Sequence, residues 1–71
     1  MLSIRRKKKL IEISKAEINH CITMVNLLQN FEYKDKVINN LLENYRQAVK
    51  TFSEQVERLE NDINLLIINI I

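Results

Sequence analysis

The sequence predicts an all-α protein, a two-helix antiparallel hairpin of coiled-coil type that assembles into a multi-helix bundle. Three observations support this class. Apolar residues alternate at steps of four and three through the second half of the chain, the 71 residues include no Gly and no Pro, and the alternation fails once near the middle. The first observation predicts a long helix, the second removes the common helix breakers, and the third predicts a connection between two helices.

The second half carries the clearest pattern, which predicts a helix over residues 36–71. A spacing that averages 3.5 residues keeps one face of a helix turned toward a partner helix along its whole length. The ten apolar residues that follow this spacing are Ile38, Leu42, Tyr45, Val49, Phe52, Val56, Leu59, Ile63, Leu66 and Ile70.

A second helix is predicted over residues 4–30, with a broader and less regular apolar face. Ile4, Ile11, Ile18 and Val25 recur every seven residues. Cys21, Ile22, Met24, Leu28 and Phe31 widen this face toward its end. A wide face favours packing against more than one neighbour.

The two patterns do not join, and residues 31–36 are predicted to connect the helices. Asn30 suits the end of the first helix because Asn tolerates the left-handed conformation, and Asp35 suits the N-cap of the second. A connection this short is typical of antiparallel helix pairs. The alternative is one continuous helix in a coiled coil, which would extend about 105 Å at 1.5 Å per residue.

The charge is distributed unevenly along the chain. Residues 1–15 carry six basic residues and one acidic residue, whereas residues 16–71 carry five basic and eight acidic residues. Residues 1–9 therefore form a basic head. Its five consecutive cations either form a solvated tail or are candidates for binding nucleic acid phosphates, an anionic membrane or an acidic protein surface: Arg5, Arg6, Lys7, Lys8 and Lys9.

No residue pattern indicates catalysis, a metal site, a cofactor or a small-molecule substrate. Cys21 is the only cysteine and His20 the only histidine, so a zinc site of Cys and His ligands is incomplete. We interpret Cys21 as a buried apolar residue beside a surface histidine. A single cysteine also fits a reducing compartment, and the sequence shows no signal peptide, so we expect a cytoplasmic protein that is not an enzyme.

The predicted interface lies on the second helix and is wider than a two-stranded seam, because Leu41, Ala48 and Ile67 flank it. Apolar residues also crowd positions 65–71, which makes this end a candidate hot spot. The residues predicted to contact a partner or a second copy are Leu42, Tyr45, Val49, Phe52, Val56, Leu59, Ile63, Leu66, Ile67 and Ile70.

Two functions follow from these patterns. The first is a non-enzymatic interaction subunit that completes a helical bundle with itself or with another protein, in an assembly, chaperone-like or adaptor role. The alternative is a small dimeric regulator that binds nucleic acid or an anionic membrane through residues 5–9. In size, basic or polar start, central register break and an apolar end such as Asn64-Leu65-Leu66-Ile67-Ile68, the chain resembles small helical chaperones and stalk-type coiled coils of bacterial type III secretion, which implies a partner-stabilising role.

Overall fold

The computed structural model describes residues 3–70, which form two α-helices packed against each other as a hairpin. Helix α1 runs over Ile4–Gln29 and helix α2 over Lys36–Ile70. The molecule measures 56 × 16 × 14 Å, about half the length of the continuous-helix alternative. The predicted all-α hairpin is confirmed. Met1, Leu2 and Ile71, which belong to the predicted head and second helix, lie outside the described residues.

Helix α1 begins at a serine cap. The Ser3 hydroxyl accepts a hydrogen bond from the Arg6 backbone N–H at 3.3 Å, which satisfies one of the unpaired N–H groups at the helix start. The first turn contains no acidic residue, although negative charge is what the dipole at a helix N-terminus favours. The basic residues therefore begin this helix against the dipole, and Ser3 provides a cap that offsets part of this cost.

The chain turns between the helices over residues 30–35. Asn30 follows the last residue of α1, but its φ of −83° and ψ of −4° are right-handed. The prediction that Asn30 adopts a left-handed conformation is therefore wrong. The N–H groups of Asn30 and Phe31 instead donate to the carbonyls three residues earlier, at 3.3 Å each, which tightens the last turn and satisfies those carbonyls.

Asp35 begins α2 as an N-cap, the position that the sequence predicts. Its carboxylate Oδ1 accepts from the Ile38 backbone N–H at 2.9 Å, and its backbone carbonyl accepts from the Asn39 N–H at 3.0 Å. The Lys34 ammonium donates to the Phe31 carbonyl at 3.2 Å. These bonds fix the connection from both sides.

The helices meet along a lengthwise seam. On α1 the seam residues alternate at steps of three and four, and most are buried: Ile4, Lys7, Ile11, Ser14, Ile18, Cys21, Val25 and Leu28. On α2 the buried residues are Leu42, Val56 and Ile63. The central cluster joins Ile11 of α1 to Val56 and Ile63 of α2.

This core is thin. Among the described residues only six apolar side chains are buried, and no large side chain falls below 2% exposure. The chain exposes 5748 Å², whereas a compact monomer of 8.5 kDa exposes about 4,700 Å². Two helices enclose too little volume to surround a side chain completely, so stability depends on a few partly covered contacts.

We expect the Ile11→Ala substitution to lower the free energy of unfolding by about 2–3 kcal/mol, because it leaves a cavity in the central cluster. Ile13→Ala removes the same atoms from an exposed position of the same helix and should change it by less than about 0.5 kcal/mol. Chemical denaturation followed by circular dichroism, at one protein concentration, measures both. Equal effects of the two substitutions would contradict the assignment of the seam.

Candidate interaction surfaces

The apolar seam predicted as a partner interface packs largely against α1 of the same chain. Three of the ten predicted residues are buried (Leu42, Val56 and Ile63), and five are half-buried (Tyr45, Val49, Phe52, Leu59 and Leu66). Only the last two are exposed, Ile67 at 42% and Ile70 at 76%. The end of α2 is therefore the part of the predicted interface that remains accessible.

Sequence reasoning missed two seam residues on α1, namely Lys7 and Ser14. Lys7 is 8% exposed and Ser14 is 3% exposed, yet both are polar and were not assigned to the apolar face. The signal was present in the spacing. Ile4, Ile11, Ile18 and Val25 recur every seven residues. The positions three residues after each of them are 7, 14, 21 and 28, and these complete the alternation of an α-helical seam.

Two ion pairs between the helices are found among the described residues. The Lys7 ammonium lies 3.6 Å from the Asp62 carboxylate, and the Lys7 side chain is only 10% exposed. The Lys15 ammonium lies 3.6 Å from the Glu60 carboxylate with both side chains about half exposed. The first pair supplies a counter-charge to a cation inside the seam, whereas the second is a surface pair of small energetic weight.

Exposed apolar side chains concentrate at the two ends of the hairpin. Nine of the eleven large apolar residues that are exposed within residues 3–70 lie there. We call the group around the connection the loop-end patch, which consists of Leu27, Phe31, Tyr33, Val37 and Leu41. We call the group at the other end the apolar tip, which consists of Leu65, Ile67, Ile68 and Ile70.

The apolar tip lies beside the basic residues of α1, because the helices are antiparallel. Lys7 faces Asp62, and a step of three residues along both helices brings Ile4 level with about residue 65. The last turn of α2 therefore extends past the first turn of α1. Lys7, Asp62, Leu65 and Leu66 border one shallow surface groove, so the two features adjoin.

The five predicted anion-binding residues divide into one buried residue and four exposed ones. Lys7 takes part in the seam, whereas the other four are exposed and lie within two turns of each other. Among the described residues these four have no carboxylate partner within 4 Å. We call them the basic collar, which consists of Arg5, Arg6, Lys8 and Lys9.

His20 and Cys21 do not form a reactive pair. Cys21 is buried in the seam, while His20 is exposed and its ring lies 6.4 Å from the Tyr45 ring in an edge-to-face arrangement. The described part of the chain contains no cluster of three His, Cys, Asp or Glu residues that could hold a metal ion. Neither helix, over the described residues, has an apolar stretch long enough to cross a bilayer.

Comparisons with protein families, with curated proteins and with solved structures find no significant match to this chain.

We expect Asp62→Asn to lower the free energy of unfolding by about 1 kcal/mol, because it leaves the Lys7 charge in the seam without its partner; this figure allows for screening at the half-exposed Asp62. Glu60→Gln breaks the exposed pair and serves as the control, with a smaller expected effect. Denaturation curves of the two variants test the difference. A larger loss for Glu60→Gln would show that the Lys7 pair does not stabilise the seam.

Proposed function

We propose that this protein is a non-enzymatic helical interaction subunit, and that it associates with a second copy of itself through the loop end of the hairpin. The loop-end patch is the observation that carries this proposal. Five large apolar side chains, including Leu27 at 55% exposure and Val37 at 63% exposure, surround one end of the hairpin. Apolar surface of this kind is typical of protein interaction sites.

The exposed area supports a second hairpin as the occupant. The chain exposes about 1,000 Å² more than a compact monomer of its mass, and a standard interface buries about 800 Å² on each partner. This excess belongs to the whole elongated hairpin of 56 × 16 × 14 Å. Five of the eleven exposed large apolar side chains within residues 3–70 lie at the loop end, which is the part of that surface offered to a second copy.

The distribution of charge supports the loop end as the contact. The patch lies at the end of the hairpin away from the basic collar, so two copies can meet there without bringing their collars together. Apolar side chains such as Leu27 and Leu41 would be covered by their counterparts, as in the centre of most interfaces.

The lone buried cysteine, Cys21, fits a reducing compartment, and a cytosolic location is part of this proposal.

We expect the double variant Leu27→Asp with Leu41→Asp to be monomeric under conditions in which the unmodified chain is a dimer. Both side chains are exposed, so the hairpin should keep its helical content while each interface gains unpaired carboxylates. Light scattering on the eluate of a sizing column measures the mass, and circular dichroism measures the helical content.

The matched control is the double variant Asn26→Asp with Asn40→Asp. These exposed residues are the sequence neighbours of the two leucines and lie about 100° around each helix from them. They add the same charge near the same helix ends, and the control should remain a dimer. A monomeric unmodified chain, or a dimer that survives the leucine substitutions, would rule out self-association through the loop-end patch.

A further inference from the structure

The other end of the hairpin combines two features that the sequence separates by more than fifty residues. The basic collar lies on the exposed side of the first turns of α1, and the apolar tip extends just beyond it on α2. Ile68 is 66% exposed and Ile70 is 76% exposed, so this end presents aliphatic side chains to its surroundings. Cations lie immediately behind them along the molecular axis.

This end of the hairpin carries a net positive charge, even when every described carboxylate near it is included. Residues 3–12 and 58–70 contain six basic and three acidic side chains. Two of the three carboxylates, Asp62 and Glu60, already pair with Lys7 and Lys15. The remainder of the chain, residues 13–57, contains five basic and six acidic residues. The positive field is therefore confined to the end that carries the apolar tip.

We propose that this end binds the surface of an anionic membrane, with the apolar tip inserted at the interface and the basic collar at the level of the lipid phosphates. Aliphatic side chains gain by leaving water at the boundary of the acyl chains, and arginine and lysine are attracted by the negative surface potential of the leaflet. The long axis of the hairpin then stands away from the bilayer, and the loop-end patch stays free.

The same observations disfavour nucleic acid as the occupant. A phosphate backbone would engage the basic collar but offers nothing to cover the exposed isoleucines. Single-stranded nucleic acids are commonly held by aromatic side chains that stack on the bases. The aromatic residues of this chain are Phe31, Tyr33, Tyr45 and Phe52, and none of them lies at this end.

Sedimentation with lipid vesicles tests the proposal on the full chain. We expect binding to vesicles of phosphatidylcholine and phosphatidylserine to be more than about tenfold tighter than to phosphatidylcholine alone, and to weaken as salt is raised. Absence of this preference overturns the proposal. Binding to a DNA duplex without binding to the mixed vesicles would do the same and would assign the basic collar to nucleic acid.

The first variant removes the four charges of the basic collar and retains Lys7 for its pair with Asp62. It carries the substitutions Arg5→Gln, Arg6→Gln, Lys8→Gln and Lys9→Gln. The control removes four exposed cations from the rest of the chain and carries the substitutions Lys34→Gln, Lys36→Gln, Arg46→Gln and Lys50→Gln; circular dichroism checks that it stays folded without the Lys34 bond to the Phe31 carbonyl. We expect only the first variant to lose binding to the mixed vesicles, and equal losses would contradict the assignment.

The second variant, Ile68→Asn with Ile70→Asn, tests the apolar tip. Its control, Ile13→Asn with Ile22→Asn, changes two exposed isoleucines on α1. We expect the tip variant alone to bind the mixed vesicles at least about tenfold more weakly, since the insertion of apolar side chains is lost. Unchanged binding would show adsorption by charge alone and would overturn the proposed insertion.

Dimerisation is measured on the same samples without lipid. Loss of lipid binding in variants that remain dimers leaves the proposed self-association intact, so the two proposals fail separately.

Discussion

The structure depends on one lengthwise contact between two helices. The residues that form this contact determine how much apolar surface the hairpin buries and how much it leaves exposed. The α1 side of the seam alternates isoleucine and valine with Lys7, Ser14, Cys21 and Leu28. Ser14 and Cys21 bury little apolar surface, and Lys7 buries a charge with its aliphatic stem, so each contributes less to stability than a leucine would. A hairpin joined in this way folds around a small cluster and leaves other apolar side chains in contact with water.

The unequal lengths of the helices determine where those side chains lie. Helix α2 has 35 residues and α1 has 26, so α1 cannot cover both ends of its neighbour. At one end the connection and the first turn of α2 expose the loop-end patch. At the other, the last turn of α2 extends past α1 as the apolar tip. The two surfaces lie about as far apart as the 56 Å length of the molecule allows.

These two ends differ in charge, which is why one molecule can have two kinds of contact. The loop-end patch has an apolar surface without a concentration of one charge, as expected for a contact between copies of one chain. The apolar tip lies beside cations that would repel those of a second copy, and this favours an anionic partner. A dimer formed at the loop ends would therefore carry its basic collars at opposite ends.

The hairpin could be predicted from the sequence because heptad spacing and capping chemistry are local. The regular alternation from Ile38 to Ile70 defines the face of α2, and Asp35 marks its start. The spacing does not reveal which helix covers that face, and in the structure α1 of the same chain covers most of it while Ile67 and Ile70 stay exposed. Lys7 and Ser14 were missed because a polar residue in a seam resembles a break in the pattern. The predicted antiparallel hairpin already brings the basic collar and the apolar tip to the same end, whereas the distance by which α2 extends past α1 depends on the register, which no local pattern encodes.

The pair of Lys7 with Asp62 favours the observed register. An antiparallel helix pair can slip by one heptad and still match most apolar residues, so a specific polar contact is needed to distinguish the alternatives. A slip of seven residues would bring Gln55 or Asn69 to the position of Asp62, and neither has a carboxylate to balance the Lys7 charge. Burying that cation without a partner is costly, so registers that remove its carboxylate are disfavoured. The polar residue that weakens the seam thereby favours the register in which the apolar tip lies beside the basic collar.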